Sequence, residues 1–68
     1  MSDSVFKKVE IVGTSGSSLE DAVANAVAKA AESMTGLSWF EVVEQRGAIS
    51  DGKVQQYQVT IRIGCKVD

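Results

Sequence analysis

Five side chains have types suited to holding a flat ligand with a polar edge: Trp39, Gln45, Arg46, Gln58 and Lys66. An indole face stacks well on another flat π system, which contributes roughly 1–3 kcal/mol per stacked ring in complexes with nucleobases. A glutamine amide offers a donor and an acceptor together, which suits the alternating edge of a pyrimidine-like ring. Arginine and lysine bind phosphate, and arginine can do so through two parallel hydrogen bonds. These residue types therefore indicate a binding site.

The residues needed for common catalytic mechanisms are missing. The chain has no histidine, so neither a Ser-His nor a Cys-His couple can form. No pair of carboxylates stands at an obvious acid–base spacing. The loop Gly13–Ser18 leads toward a helix start, but it lacks the G-K-[ST] ending of a P-loop. We therefore expect a protein that is not an enzyme.

The size of the chain favours oligomerisation. Its 68 residues make one domain, 1–68, near the lower limit for a self-supporting core. A single cysteine excludes an intrachain disulfide, and the lack of histidine excludes an ordinary structural zinc site. The composition, 44% hydrophobic and 24% charged, is that of a globular protein. Association with other copies is the remaining way to stabilise such a small core.

Charge and hydropathy limit the classes of partner. A net charge of −2 and a pI near 4.9 argue against a general nucleic-acid binder, which needs a basic surface. No apolar run approaches the roughly 20 residues that span a bilayer. The stretch Met1–Ser4 lacks the basic and apolar parts of a secretory signal. We expect no nucleic-acid or membrane partner and a cytoplasmic location.

A helix is predicted over about residues 18–35, because apolar residues recur at spacings of three and four. Either Ser17 or Ser18 can cap its start, since each has an acid three residues later. Gly36 is the expected C-cap. The apolar face of this helix consists of Leu19, Ala22, Val23, Ala26, Val27, Ala30 and Met34.

Three strands are predicted around this helix: Ser4–Gly13, Leu37–Gly47 and Gln56–Ile63. The fold class is therefore α+β, with the order β-α-β-β and a three-stranded, mostly antiparallel sheet against one helix. Asp51-Gly52 predicts a two-residue hairpin turn of type I′. A bulge near Arg46-Gly47 would shift the strand pairing beyond it. Without a bulge, the pairs on one face are Trp39–Gly64, Glu41–Arg62, Val43–Thr60 and Gln45–Gln58.

The other face is the apolar one and should receive the helix. It carries Phe40, Val42, Tyr57, Val59, Ile61, Ile63 and Cys65. Trp39 is then left on a face that no part of its own chain is expected to cover, and Gly64 opposite it has no side chain. Glu41 and Arg62 on this face are expected to form a cross-strand ion pair. The exposed indole needs a partner, which is a neighbouring subunit, a planar ligand or both.

At these residues the chain resembles the dodecins, small flavin-binding proteins of bacteria and archaea. The resemblance begins with Val5–Ser15 and continues through Leu19–Ala22. Its most specific stretch is Trp39–Gly47, followed by Tyr57–Val59, and the spacing between the segments also fits.

The resemblance implies a β-α-β-β subunit whose sheet wraps around the helix, and a hollow homododecamer. It implies flavins in antiparallel pairs between the tryptophans of two symmetry-related subunits, with Trp39 at that position and Gln58 on the pyrimidine edge of the ring. Arg46 and Lys66 match basic positions near the flavin tail, where Lys66 replaces a frequent arginine. Cys65 replaces a large apolar residue, often phenylalanine.

The implied function is storage and sequestration of flavin. An indole stacked on a flavin quenches its excited state by electron transfer, so the bound flavin is dark and protected from light. FMN is the expected ligand, with riboflavin and FAD as possible ligands, and Gln45 belongs to the expected site. Two alternatives stay open: a purely structural oligomeric module, and a shell that also binds coenzyme A at a separate basic surface.

Overall fold

The computed structural model describes residues 3–67 as one helix packed on a three-stranded antiparallel sheet. The elements in chain order are β1 (Val5–Ser15), α1 (Leu19–Ala31), β2 (Leu37–Ser50) and β3 (Lys53–Val67). The strands lie in the order β1-β3-β2, so β3 is central and pairs with both others. This confirms the predicted α+β class and the β-α-β-β order.

Serine side chains organise the start of α1. Ser18 is the N-cap, and its hydroxyl accepts a hydrogen bond from the Asp21 backbone N–H at 3.0 Å. The Ser15 hydroxyl donates to Asp21 Oδ2 at 2.7 Å and accepts from the Ser17 N–H at 2.9 Å. Asp21 therefore links the cap to the end of β1, rather than bonding back to the Ser18 N–H as in a reciprocal capping box.

The helix ends at Ala31, earlier than the predicted end beside Gly36. The next N–H groups bond to carbonyls three residues back, which closes the helix in a tight turn. Gly36 has a positive φ of 74°, but its carbonyl accepts a hydrogen bond from the Lys66 N–H at 2.9 Å. Its role is therefore to bring the chain onto the sheet. No helix within residues 3–67 is both long and apolar enough to cross a membrane.

The core is built where small residues of α1 meet the sheet. The buried helix residues are all alanines, Ala22, Ala26 and Ala30. Gly13 in β1 permits the close approach, because a Cβ there would overlap the Ala22 carbonyl and contact Ala26 Cβ at 2.8 Å. The largest fully buried side chains all come from β3: Val59, Ile61, Ile63 and Cys65. Cys65 is thus a core residue, as predicted.

The helix covers β1 and β3 but not the whole sheet. Phe40 and Val42 on β2 were expected beneath the helix, yet each is 50% exposed. That expectation was wrong because α1 packs over β1 and the central strand β3, and β2 is the edge strand on the far side of β3.

The hairpin turn forms as predicted. Asp51-Gly52 has φ values of 52° and 72°, and the positive sign at both positions is what a type I′ turn requires. Ser50 lies opposite Lys53 beside the turn, and Trp39 lies opposite Gly64 at the far end of the hairpin. The predicted register is therefore confirmed at both ends.

Two bulges alter the register between these ends. Gln55 is an extra residue in β3, and Val43 is an extra residue in β2. Because they lie on opposite strands, their shifts cancel beyond Val43. Between them, Arg46 rather than Gln45 lies opposite Gln58. The predicted partners of Val43 and Gln45 were therefore wrong.

The subunit is elongated and exposes much apolar surface. Its extents are 57 × 20 × 13 Å and its radius of gyration is 14.2 Å, whereas a compact domain of this length has a radius of gyration of about 11 Å. An elongated chain with this much exposed apolar surface is suited to association. The exposed large apolar residues include Val5, Val12, Phe40, Val42, Val43, Ile49 and Val54.

We predict that Gly13→Ala destabilises the protein. The added methyl group would overlap the Ala22 carbonyl, and overpacking of this kind costs about 1–3 kcal/mol or more. Urea unfolding should show the loss as a lower midpoint. Gly16→Ala is the matched control, because a Cβ at Gly16 meets nothing within 4 Å. Equal midpoints for the two variants would contradict the close helix–sheet contact.

Candidate functional site

Trp39 lies flat on the face of the sheet that points away from α1. A Cβ on Gly64 would collide with the six-membered ring of the indole, so the ring rests directly on the glycine backbone. The Phe6 ring, from β1, contacts the indole with a centroid separation of 4.9 Å and a tilt of 57°. Trp39 is still 41% exposed. One ring face is therefore seated on the sheet, and part of the ring is open to a partner.

Phe6 corrects the expectation that no residue of the same chain covers Trp39. It extends from β1 across Gly64 of the central strand, so the contact depends on the strand order. One sequence signal was available. Phe6, like Val12, is an apolar residue on the parity of β1 that carries Lys8 and Glu10.

Gln58 is held by two side chains on the same face. Arg46 Nε donates to Gln58 Oε1 at 2.7 Å, and Gln58 Nε2 donates to Gln56 Oε1 at 2.8 Å. Arginine has no acceptor, so this bond requires the oxygen of the amide, not its nitrogen, to face Arg46. The amide keeps one unused lone pair and one unused N–H. Gln58 can therefore still offer a donor and an acceptor to a ligand.

Trp39 and Gln58 lie on one face but far apart. Gly64, opposite Trp39, is six positions from Gln58 along β3, a separation of roughly 20 Å at about 3.3 Å per residue. A single flat ring is too short to contact both side chains of one chain. A site that uses both must combine residues from at least two chains.

The two remaining predicted residues lie at different places. Lys66 is on the Trp39 face, two residues beyond Gly64 and opposite Phe6. Gln45 lies opposite Val59 on the helix side of the sheet, where it lines a cavity of about 260 Å³. The structure thus groups Trp39 with Lys66 at one end of the outer face, and Arg46 with Gln58 at the other. Gln45 is not on that face, because the extra residue Val43 shifts the alternation of β2 and places the Gln45 side chain on the helix side.

Two ion pairs lie between these ends. Lys8 Nζ is 2.6 Å from Glu41 Oε1, which links β1 to β2 over the central strand, and Arg62 Nε is 2.9 Å from Glu10 Oε1. The predicted Glu41–Arg62 pair was wrong, because β1 brings an opposite charge to each of them. The hydrogen bond from Lys8 lowers the pKa of the Glu41 carboxyl.

Comparison with known proteins decides the family. The family model described as Dodecin matches residues 5–68. The dodecin of Thermus thermophilus is 45% identical over 64 residues, which are 94% of this chain and 93% of that protein. The chain belongs to the dodecin family. The solved dodecin of Streptomyces coelicolor superposes with a TM-score of 0.94 at 40% identity, over 100% of this chain and 97% of that one.

A second kind of dodecin is also similar. The calcium dodecin of Mycobacterium tuberculosis is 33% identical over 64 residues, which are 94% of this chain and 90% of that protein. Its crystal structure superposes with a TM-score of 0.81 over 94% of this chain and 91% of that one, and it is described as having a novel calcium-binding site. Within residues 3–67 of the present dodecin, no three acidic, cysteine or histidine side chains converge as metal ligands.

We predict that the stability of Lys8→Met falls less than that of the parent when the solution is made acidic. The pKa of Glu41 is lowered in the folded state, so its stabilising effect is present at neutral pH and is lost as the pH falls through that lowered pKa. The parent should therefore lose more stability than Lys8→Met between neutral pH and the range below the ordinary glutamate pKa of about 4.3. Urea unfolding across this pH range measures the difference.

The control for this experiment is Lys29→Met. Lys29 pairs with Glu32 on the helix at 3.3 Å and does not contact Glu41. Removing Lys29 should leave the dependence of stability on acid pH as it is in the parent. Parallel pH curves for the parent and Lys8→Met would show that the Lys8–Glu41 pair does not act in solution.

Proposed function

We propose that this dodecin, as a single domain, binds flavin at the Trp39 face and stores it. The observation that carries the proposal is the indole seated flat over Gly64, on the face that α1 does not cover. A flat, electron-rich ring with an open side favours stacking with a planar, electron-poor ring such as isoalloxazine. Membership of the dodecin family supports the same ligand.

We further propose that each flavin is bound by more than one subunit. The separation of roughly 20 Å between the Gln58 and Trp39 ends of one chain requires a second chain to complete the site. The elongated shape and the exposed apolar residues favour such an assembly. The proposed form is a hollow homododecamer, in which pairs of flavins lie between the Trp39 rings of symmetry-related subunits.

The polar groups favour FMN among the flavins. Gln58 keeps one donor and one acceptor, which match one C=O and N–H pair on the pyrimidine edge of the ring. Arg46 uses its Nε on Gln58, and its other guanidinium N–H groups can bind the phosphate together with Lys66 of another subunit, since the two residues lie at opposite ends of the outer face of one chain. Riboflavin lacks the phosphate and FAD adds a bulky second nucleotide. Gln45, on the helix side, can contact this flavin only from another subunit.

Storage rather than catalysis follows from the proposed stacking. In a pair of flavins between two indoles, each flavin has an indole on one face and the other flavin on the other face, so a substrate cannot reach either ring. Electron transfer from the indole quenches the excited flavin and protects it from light. Calcium is not proposed as the ligand, because Glu10 and Glu41 are each paired with a cation of this chain. The cytoplasmic location expected from the sequence stays a prediction.

One alternative has a specific observation in its favour. The exposed apolar residues on β2 and on the hairpin would also suit a purely structural module, whose Trp39 face only packs subunits together. Under that alternative, loss of Trp39 breaks the assembly and the parent protein has no affinity for flavin.

Trp39→Ala should abolish quenching of added FMN and weaken its binding. Loss of one stacked ring costs about 1–3 kcal/mol, or roughly fivefold to 150-fold in Kd. Trp39→Phe should keep part of the stacking but lose most of the quenching, because phenylalanine is a poor electron donor. FMN fluorescence titration measures both quantities.

The control is the oligomeric state of each variant by native mass spectrometry. Loss of flavin from an intact assembly supports a ligand role for Trp39, whereas dissociation of the assembly supports the structural alternative. Unchanged quenching in Trp39→Ala would overturn the stacking role.

Gln58→Leu should weaken FMN binding by about tenfold to a hundredfold, because the polar ring edge is left without its partners. Quenching of the flavin that remains bound should be unchanged, since Trp39 is intact. Gln55→Leu is the matched control, because Gln55 is a nearby glutamine in the β3 bulge. Equal affinity for the two variants would remove Gln58 from the site.

A further inference from the structure

The Trp39 ring is held by residues from the two other strands. Gly64 of β3 lies beneath it, and Phe6 of β1 contacts it from the side. The centroid separation of 4.9 Å falls within the range of about 4.5–7 Å at which tilted aromatic pairs are favourable. Within residues 3–67, this is the one close aromatic pair.

Gly64 alone does not fix the ring. A glycine provides a flat surface but no side chain to limit rotation of the indole, and exposed side chains change rotamer within picoseconds to nanoseconds. Trp39 also lies on β2, which is an edge strand of the subunit. Phe6 provides the lateral contact that Gly64 lacks. Phe6 and Trp39 are both on the surface, and Phe6 is 40% exposed. Packing the two rings together removes part of the apolar surface of each from water.

We propose that Phe6 is a positioning residue that holds the Trp39 indole flat over Gly64, with its outer face open to the ligand. This inference rests on the proposed flavin-binding function. A ring that is already oriented loses less conformational freedom when the ligand stacks on it. Phe6 therefore increases affinity through Trp39, without itself having to stack on the flavin.

The test compares Phe6→Leu, which keeps an apolar side chain but removes the ring, with Phe6→Tyr, which keeps the ring. Phe6→Leu should raise the Kd for FMN about threefold to tenfold, while Phe6→Tyr should stay close to the parent. Phe40→Leu is the matched control. It makes the same change one position from Trp39, on the opposite face of the sheet.

The second readout is independent of ligand. Trp39 is the only tryptophan, so near-UV circular dichroism and fluorescence anisotropy decay report on it alone. Phe6→Leu should weaken the indole dichroism and add a fast component to the anisotropy decay; Phe40→Leu should do neither. The anisotropy decay of the parent protein should show no large fast component. This part of the test does not depend on whether a variant folds. Such a component in the parent would overturn the proposal.

The remaining outcomes separate the two proposals. If Phe6→Leu loosens the indole but the parent binds no FMN, the positioning role stands and the proposed function fails. If FMN binds the parent and Phe6→Leu with equal affinity, the positioning role fails and the proposed function stands. The same conclusion follows if Phe6→Tyr, which keeps the ring, binds FMN as weakly as Phe6→Leu does.

Discussion

The structure depends on the small area of sheet that one alanine-faced helix can cover. Alanines on α1 and the bare backbone of Gly13 let helix and sheet approach closely, but this contact covers only β1 and β3. The outer face of the sheet and much of β2 are left without cover. The elongated shape and the exposed apolar side chains follow from this shortage. The proposed assembly would complete this packing with other copies of the chain.

The outer face divides into two different ends with paired charges between them. One end presents the seated Trp39 ring, and the other presents the Gln58 amide oriented by Arg46. The ion pairs Lys8–Glu41 and Arg62–Glu10 neutralise the charges in the middle. Because every chain carries both ends, a symmetric assembly can join the aromatic end of one subunit to the amide end of another. On this account, assembly creates the ligand site.

Local signals predicted much of this arrangement from the sequence. Asp51-Gly52 determines the hairpin register, and Trp39 was placed opposite Gly64 correctly because the two bulges cancel. Gln45 was placed on the wrong face, since nothing in the apolar pattern marks the bulge at Val43. The Phe6 contact could not be predicted without the strand order, because β1 is distant from β2 in sequence and meets it only across β3. Local turn chemistry was thus readable, whereas contacts that depend on sheet order were not.

The most direct test is native mass spectrometry of the purified protein with FMN. The method counts subunits and bound ligands in one spectrum. The proposed account predicts an assembly of twelve chains that carries one FMN per chain, with no FMN on the free monomer, because each site needs residues of more than one subunit. FMN bound to single chains, or an intact assembly that takes up no FMN, would contradict the account.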